Sequence, residues 1–437
     1  MNHRILIITY YWPPSGGAGV QRWLKMCKYL PENGVECTVL TVATEVATYP
    51  LIDTAFEDEV REDVEVVRTH SREALAWYAR LFGKKNVPHG GFANVDTGST
   101  QSKISRWIRG NFFIPDARRG WNRFAIKAAR DIISRKGIEL LVSTGPPHSS
   151  HLIALELKAS HQLPWIADFR DPWTDIYYYG QLLHSAPARR LDARLEQQVM
   201  LGCDRLIAVC PSNARLYSKK LPAHASDKIS IITNGYDPDD FGSTTKASKA
   251  PEPKALKIAY TGTIAGTYRA EPIFRILEKL PFPWELHMAG KVPDDIAALL
   301  RQMHTGAKVQ MHGYLPHNES IALLQSSDVL LHILPDTEAN RMGTTGKLFE
   351  YIGAGKPILN FGPKEGDAAI FIAEAGAGQS FSREDESGVL NYLQKLHKEG
   401  SPNREPSEQF SRSHLAARLA KLAHELVKSS SAQDGEG

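Results

Sequence analysis

The sequence predicts an α/β protein of two domains, each a parallel sheet with helices wound on both faces. Three observations carry that expectation. The chain has 437 residues, and at ~100–200 residues per domain this leaves room for two or three cores. Short β-branched apolar runs alternate with helix-length amphipathic segments, the pattern of β-α-β units. That pattern starts at 4–10 and again at 257–260, each time followed by a loop containing glycine.

Composition removes several function classes. Apolar content of 42% and charged content of 23% are those of a globular chain. A net charge of only +3 argues against a general nucleic-acid binder, and none is expected as a partner. Cys27, Cys37, Cys203 and Cys210 form no C-x-x-C pair, so reduced thiols in the cytosol are expected. No apolar run approaches the ~18 residues needed to span a bilayer. The run at 5–12 is short and meets Pro13-Pro14, so it reads as a first strand rather than a signal segment.

In the first half, 4–10 reads as strand, 12–19 (WPPSGGAG) as loop, 20–30 as helix and 35–42 as strand. Gly17 and Gly19 allow a ligand to approach the backbone at a strand end, although a plain tight turn explains them equally well. Arg22 stands where a dinucleotide fingerprint needs its third glycine, so NAD is not expected. An insert runs over 44–122. Near its end, Lys103, Arg106, Arg109, Arg118, Arg119 and Arg123 are interleaved with Trp107, Phe112, Phe113 and Trp121, and Asp116 is the only acid among them. Three readings stay open for 103–123. It is a patch for an anionic membrane surface, a pocket for an anionic acceptor, or an excursion whose arginines pair with acids elsewhere.

A helix at 125–135 and a strand at 140–143 lead to the polar loop TGPPHSSH. His148 in that loop is a candidate hydrogen-bond donor to a substrate. With His151 it supplies only two metal ligands, so a metal is not expected there. A strand at 165–167 ends on Asp168-Phe169-Arg170-Asp171-Pro172-Trp173, which reads either as an ion-pair knot or as a substrate site. Strands at 205–210 and 229–233 follow. Asp237 and Asp239 imitate a D-x-D metal pair but lie in a turn beside a Lys/Ser/Pro-rich linker, and so mark a hinge.

The second half repeats the opening: a strand at 257–260, the loop TGTIAGTYR, and a helix through residue 280. Its most informative stretch is TTGKLFEYIGAGKP at 344–357, between an apolar run at 329–334 and another at 358–361. It reads as a helix capped by Thr344 or Thr345 and closed by Gly355 before Pro357. A helix starting at the carboxyl end of a parallel strand aims unpaired N–H groups and a positive dipole at the ligand crevice. Lys347 adds a charge in the first turn, suited to a diphosphate. Glu350 lies on the same face one turn deeper, suited to the vicinal hydroxyls of a ribose. The plain alternative is an exposed ion pair worth about 0.2–0.5 kcal/mol. Leu415, Leu419, Leu422 and Leu426 then mark a terminal amphipathic helix. The expected domains are 1–240 and 241–405, facing each other across a cleft, with a helix at 406–428 and a disordered tail at 429–437.

The WPPSGGAGVQR loop, DFRDPW at 168–173, YTGT at 260–263 and GKLFEYIGAGKPIL at 346–359 together resemble glycosyltransferase family 4, sugar-nucleotide transferases of the GT-B fold. The NGYD turn at 234–237 resembles the family's crossing into the second domain. The resemblance implies two Rossmann-like domains with a C-terminal helix packing back. Glu350 matches the glutamate that receives the nucleotide's ribose. A second glutamate common in the family, eight positions upstream, is Met342 here, and Glu338 is out of register. The basic pair that contacts the diphosphate is Thr263 and Arg269 here, so Arg269 and Lys347 are the expected leaving-phosphate ligands.

His148 is a looser match to a histidine near the transferred sugar. Gly262, Thr263, Thr345, Gly346 and Leu348 complete the expected donor set with Glu350. Gly17, Gly19, Asp168 and Arg170 form the expected acceptor side. The resemblance further implies retention at the anomeric carbon without metal or cofactor, a UDP- or GDP-linked donor, and a glycan or lipid-linked acceptor in cell-surface polysaccharide synthesis. The cysteine usage and the basic aromatic segment lead to the expectation of a cytoplasmic chain, with 103–123 offering contact to the inner membrane face. The rival expectations are an epimerase or hydrolase of the sugar nucleotide, and a nucleotide-binding paralogue without turnover, suggested by Met342 and Thr263.

Overall fold

A computed structural model describes residues 2–72, 100–242, 255–264, 268–303, 308–335 and 345–434 of the chain. Glu338, Met342, Thr344 and most of the hinge linker lie outside the described residues. Two compact units emerge. One comprises Met1–Thr233 with Leu415–Gly437, the other Asn234–His414. The division falls at Thr233 rather than near 240 because the NGYD turn joins the second unit. There the Tyr236 N–H donates to the Phe410 carbonyl at 3.1 Å, and the Arg412 N–H donates to the Tyr236 carbonyl at 2.7 Å.

In the first unit seven strands form one sheet: β1 (His3–Ile8), β2 (Val35–Val42), β3 (Glu65–Thr69), β4 (Leu140–Gly145), β5 (Trp165–Phe169), β6 (Arg205–Ala208) and β7 (Ile229–Ile231). Their order is β3-β2-β1-β4-β5-β6-β7, and every neighbouring pair is parallel. Parallel strands are covered on both faces, which explains why β1 and β4 read as unbroken apolar runs rather than alternating ones. Between β1 and β2, α1 (Ala18–Tyr29) buries Val20, Trp23, Leu24 and Cys27. Downstream lie α2 (Thr100–Phe112), α3 (Asn122–Lys136), α4 (Ser149–His161), α5 (Ala186–Gly202) and α6 (Pro211–Lys220). All four cysteines are buried free thiols.

The second unit repeats the plan with β8 (Leu256–Thr261), β9 (Trp284–Ala289), β10 (Lys308–Gly313), β11 (Val329–Ile333), β12 (Ile358–Phe361) and β13 (Gly378–Phe381). The order is β10-β9-β8-β11-β12-β13, again wholly parallel. Its helices are α7 (Glu271–Leu277), α8 (Asp294–Gln302), α9 (His317–Gln325), α10 (Gly346–Gly353), α11 (Asp367–Glu374) and α12 (Glu386–Glu399). In each sheet the strand order reverses beside the first strand, between β1 and β4 and between β8 and β11. Loops at the carboxyl ends of those strands diverge there, and open sheets bind ligands at such points.

The last helix, α13 (Arg412–Asp434), returns to the first unit. Leu415, Leu419, Ala423 and Leu426 recur three to four residues apart and are buried in the same core as β1 and α1. The helix persists beyond 429, where the sequence reading expects disorder. The Ser429 and Ser431 hydroxyls bond back to the Glu425 and Val427 carbonyls, at 3.0 and 2.9 Å, and replace lost solvation. Among the described residues no helix is long and apolar enough to cross a membrane.

Candidate functional site

The second unit gathers its candidates where β8 and β11 diverge. Thr345 caps α10, and Gly355 beyond its end takes φ +66°, the left-handed geometry expected of a terminating glycine. The Thr345 hydroxyl makes no capping bond, contrary to expectation. It faces Nε2 of His332 on β11 at 3.2 Å, while Nδ1 of that ring faces Oδ1 of Asn360 at 2.8 Å. Burial, and then the nearby Lys347 charge, pull the His332 pKa down to about 3, so this histidine is neutral. From the other side the Tyr351 hydroxyl accepts the Thr261 N–H at 2.8 Å. Leu348 and Phe349 are fully buried. These contacts fix where the amino end of α10 points. Leu348 contributes backbone there and apolar packing below.

Lys347 leaves the first turn and donates from Nζ to the Tyr260 hydroxyl at 2.8 Å, with the ring centroid 4.5 Å away and that of Tyr268 at 5.9 Å. The Tyr260 hydroxyl in turn donates to the Thr263 carbonyl at 3.1 Å. Burial lowers the Lys347 pKa to about 8, partly offset by the Glu350 charge. The ammonium is thus held by aromatic faces and one neutral oxygen, with donors left for an anion. Glu350 sits one turn deeper with a quarter of its side chain exposed, its Oε1 4.0 Å from Nδ1 of His317. Burial raises its pKa, and the His317 charge opposes that rise. His317 is itself held by Oδ2 of Asp240 at 3.1 Å.

Gly262 has φ +114°, and a Cβ there would lie 2.8 Å from the Lys347 ammonium. The backbone conformation therefore calls for glycine, and a side chain there would also displace the flexible end of Lys347. Gly262→Ala should cost about 1–3 kcal/mol in strain and push Lys347 aside. Thermal unfolding is expected to show a lower melting temperature. Thr263 is exposed beside this loop. Arg269 is exposed too and takes φ +44°, while its neighbour Tyr268 lies against Lys347. The fold therefore brings Lys347, Glu350, Gly262, Thr263, Thr345 and Gly346 to one strand-end region, with the Arg269 backbone at its margin.

In the first unit the equivalent point holds the other candidates. Gly17, with φ +99°, starts α1, and a Cβ there would meet open space. At Gly19 a Cβ would lie 2.1 Å from Nη1 of Arg170, so glycine here admits the guanidinium. Arg170 also donates from Nη2 to the Pro146 carbonyl. His148 is buried, its ring stacked on Trp173 at 4.7 Å and 9°. His151 stacks on Phe169 at 4.6 Å, and its Nδ1 lies 2.8 Å from the Ser143 hydroxyl. Burial, then the charges of His151 and Arg170, hold the His148 pKa well below its usual range. A neutral His148 therefore presents one acceptor and one donor.

Asp168 departs from expectation. It lies within β5, not in the loop beyond it, and is fully buried. Its carboxylate accepts from Arg22 Nε at 3.1 Å and Nη2 at 2.8 Å, from Trp23 Nε1 at 2.7 Å and from the Thr144 hydroxyl at 2.9 Å. Arg22 also donates to the carbonyls of Ile232 at 2.9 Å and Thr233 at 2.7 Å. Every oxygen of Asp168 is occupied by protein, so it is the ion-pair knot and not a ligand contact. Burial would raise its pKa, but the Arg22 charge and hydrogen bonds outweigh this and hold it low.

Two arginines of the basic aromatic segment donate to backbone carbonyls of the first unit. Arg118 Nη2 donates to the Thr48 carbonyl at 2.8 Å and Arg119 Nη1 to that of Ile114 at 2.9 Å. Ile104, Trp107 and Phe112 of α2 remain exposed. Asp237 accepts the Asp239 N–H at 3.2 Å as an ordinary turn cap. Among the described residues no group of three or more His, Cys, Asp or Glu side chains is arranged to hold a metal.

The profile of Glycosyltransferase Family 4 matches residues 16–240. No curated protein sequence matches the chain. Among solved structures, the lipopolysaccharide outer core galactosyltransferase WaaB superposes with a TM-score of 0.58 at 11% identity, covering 97% of this chain and 100% of that one. The catalytic domain of Starch Synthase IV from Arabidopsis thaliana, bound to ADP and acarbose, gives 0.56 at 12% identity over 98% and 99%. The Anabaena protein HepE in complex with UDP-glucose gives 0.51 at 11% identity over 99% and 100%. At these identities the structures establish a shared fold, that of GT-B proteins with two doubly wound units.

Proposed function

The chain belongs to Glycosyltransferase Family 4, and from that premise we propose that it moves a sugar from a nucleotide-linked donor on its second unit to an acceptor hydroxyl on its first. The observation that carries this reading is the pairing of Lys347 and Glu350 at the amino end of α10, at the switch point of the second sheet. The amides of Gly346 and Lys347 and the Lys347 ammonium suit a diphosphate, and Glu350 suits a ribose. The complexes of structural neighbours with UDP-glucose and ADP support a nucleotide sugar as donor.

In the reaction the bond between the anomeric carbon and the diphosphate oxygen stretches, and negative charge grows on that oxygen. Lys347 and the α10 amides stabilise the charge more in the transition state than in the ground state. Releasing Lys347 from Tyr260 costs one neutral hydrogen bond, which a phosphate oxygen replaces with a charge-assisted one. Arg269 reaches the same phosphates from the loop after β8. The acceptor oxygen bonds to the anomeric carbon with retention and passes its proton to the departing phosphate. A glycan or lipid-linked acceptor in cell-surface polysaccharide synthesis fits this chemistry. The exposed Ile104, Trp107 and Phe112, beside Lys103, support a peripheral place at an anionic inner membrane face.

Glu350→Ala should weaken binding of UDP or GDP about tenfold or more, the cost of losing hydrogen bonds to a carboxylate, with little change in melting temperature. Calorimetric titration of both proteins checks this. Wild-type affinity in the variant would remove Glu350 from the site.

A further inference from the structure

Beyond the end of β4, two buried histidine nitrogens stand without a partner. Among the described residues, neither Nδ1 of His148 nor Nε2 of His151 makes a hydrogen bond. His151 is fully buried, and His148 keeps 8% of its surface accessible. Both nitrogens converge on one place. A Cβ on Gly145 would lie 2.5 Å from Nε2 of His151 and 3.0 Å from Nδ1 of His148. The bare Cα of Gly145 therefore leaves a wedge in which a single oxygen reaches both rings. Buried polar atoms that the chain itself leaves unpaired are commonly satisfied by an ordered water, which needs about two to four such partners.

The hydrogens along these contacts follow from the donors present. Trp165 Nε1 can only donate, and it does so to the Ser143 hydroxyl at 2.8 Å. The Ser143 oxygen is thus an acceptor, and its own hydrogen goes to Nδ1 of His151, also at 2.8 Å. Burial, and then the Arg170 charge, pull the His151 pKa down to about 3, so this ring carries one hydrogen. With Nδ1 accepting, that hydrogen is on Nε2, the nitrogen that faces Gly145. A water placed there accepts from His151 and donates onward to Nδ1 of His148. His148 is neutral too, and a neutral ring that accepts at Nδ1 carries its hydrogen on Nε2. The stacks of His151 on Phe169 and of His148 on Trp173 hold both rings in place for this.

We propose that one buried water joins Nε2 of His151 to Nδ1 of His148, and that His151 is thereby a positioning residue that fixes His148 as a hydrogen-bond donor at Nε2. The proposal rests on the transfer reading above for the oxygen that His148 meets, and it narrows that contact. His148 offers a hydrogen to a sugar or acceptor oxygen and takes none from it, since its outer nitrogen is already protonated. The acceptor's proton then finds no base on this ring, in keeping with its passage to the departing phosphate.

The test uses the full chain with nitrogen-15-labelled histidine near neutral pH. Long-range proton–nitrogen correlation spectra show which nitrogen of each ring is protonated, and His148→Gln and His151→Phe assign the two rings. In the wild type both rings should be neutral and protonated at Nε2. His151→Phe keeps an aromatic ring against Phe169 and removes the donor. In that variant the two nitrogen signals of His148 should move toward each other as its second tautomer becomes populated. Diffraction from wild-type crystals should show an oxygen within hydrogen-bond distance of both nitrogens. If His151→Phe melts early, Gly145→Ala carries the same comparison, because its methyl group takes the place of the water. A protonated Nδ1 on His148 in the wild type overturns the proposal. So do His148 signals that stay in place in the folded variant, or rings bonded directly to each other with no oxygen between them. Calorimetric titration of the wild type with UDP and GDP keeps the two readings apart. Failure to bind either nucleotide would count against the transfer reading, and the His148 tautomer would still decide for or against the water relay.

Discussion

Lys347→Gln is expected to slow sugar transfer by about 10²–10³-fold, the usual cost of removing one preorganised donor from a developing oxyanion. The side chain is already in place before any ligand arrives, held by the Tyr260 hydroxyl at 2.8 Å and by two aromatic rings. Glutamine keeps a donor and most of the volume but loses the charge. Turnover should therefore fall while the melting temperature holds. The wild type should show a matching pH dependence. Because burial brings the Lys347 pKa to about 8, the ammonium carries its charge below that pH and loses it above. Diphosphate affinity should be greatest below pH 8 and decline as pH rises through it, with proton uptake on binding near pH 8. Lys347→Gln should bind weakly and show no such step. A variant with wild-type turnover would take Lys347 out of the leaving-group site.

The second large effect concerns the first unit's architecture. Arg22→Met should destabilise the protein by about 3–5 kcal/mol, because it leaves the fully buried Asp168 carboxylate without its countercharge. It also frees the carbonyls of Ile232 and Thr233, which lead out of β7. Asp168→Asn keeps the shape and some of the hydrogen bonds but strands the guanidinium. The pH dependence has a definite sign. Asp168 has a folded pKa below its unfolded value, so its stabilising share is present above the ordinary carboxylate range. That share is lost as pH falls through the folded pKa. The stability gap between wild type and Asp168→Asn should be widest near neutrality and narrow in acid, as read by denaturant unfolding. A gap that does not change with pH would mean the pair contributes shape alone.

What could be read in advance follows the range of each interaction. α10 was legible because its signals are local: an apolar run before it, a threonine cap, Lys347 and Glu350 one turn apart, Gly355 to close it. Most strands of both sheets were legible for the same reason, since parallel strands and their helices alternate along the chain, but the edge strands β3, within the stretch read as an insert, and β13 were not. The Arg22–Asp168 pair was not, because its partners are 146 residues apart and a charged residue between aromatics looks the same in a knot as in a site. Arg22 did leave one trace, by occupying a position where a nucleotide fingerprint needs glycine. His317 and Asp240 were missed beside Glu350, the first because it opens an unremarkable helix, the second because it sits in an aspartate-rich turn. His332 was hidden in a strand, and its hold on Thr345 overrides the capping role that local sequence assigns to that hydroxyl. Tyr260 was visible only as part of a motif. Its bond to Lys347 depends on β8 and α10 being adjacent in space.

The central claim is that the amino end of α10 holds a nucleoside diphosphate by both ends. Diffraction from crystals grown with UDP or GDP tests it most directly. The account predicts phosphate oxygens against the Gly346 and Lys347 amides, the Lys347 ammonium moved off Tyr260 onto them, and both ribose hydroxyls on Glu350. Nucleotide density elsewhere on the second unit, with Lys347 still bonded to Tyr260, would contradict it.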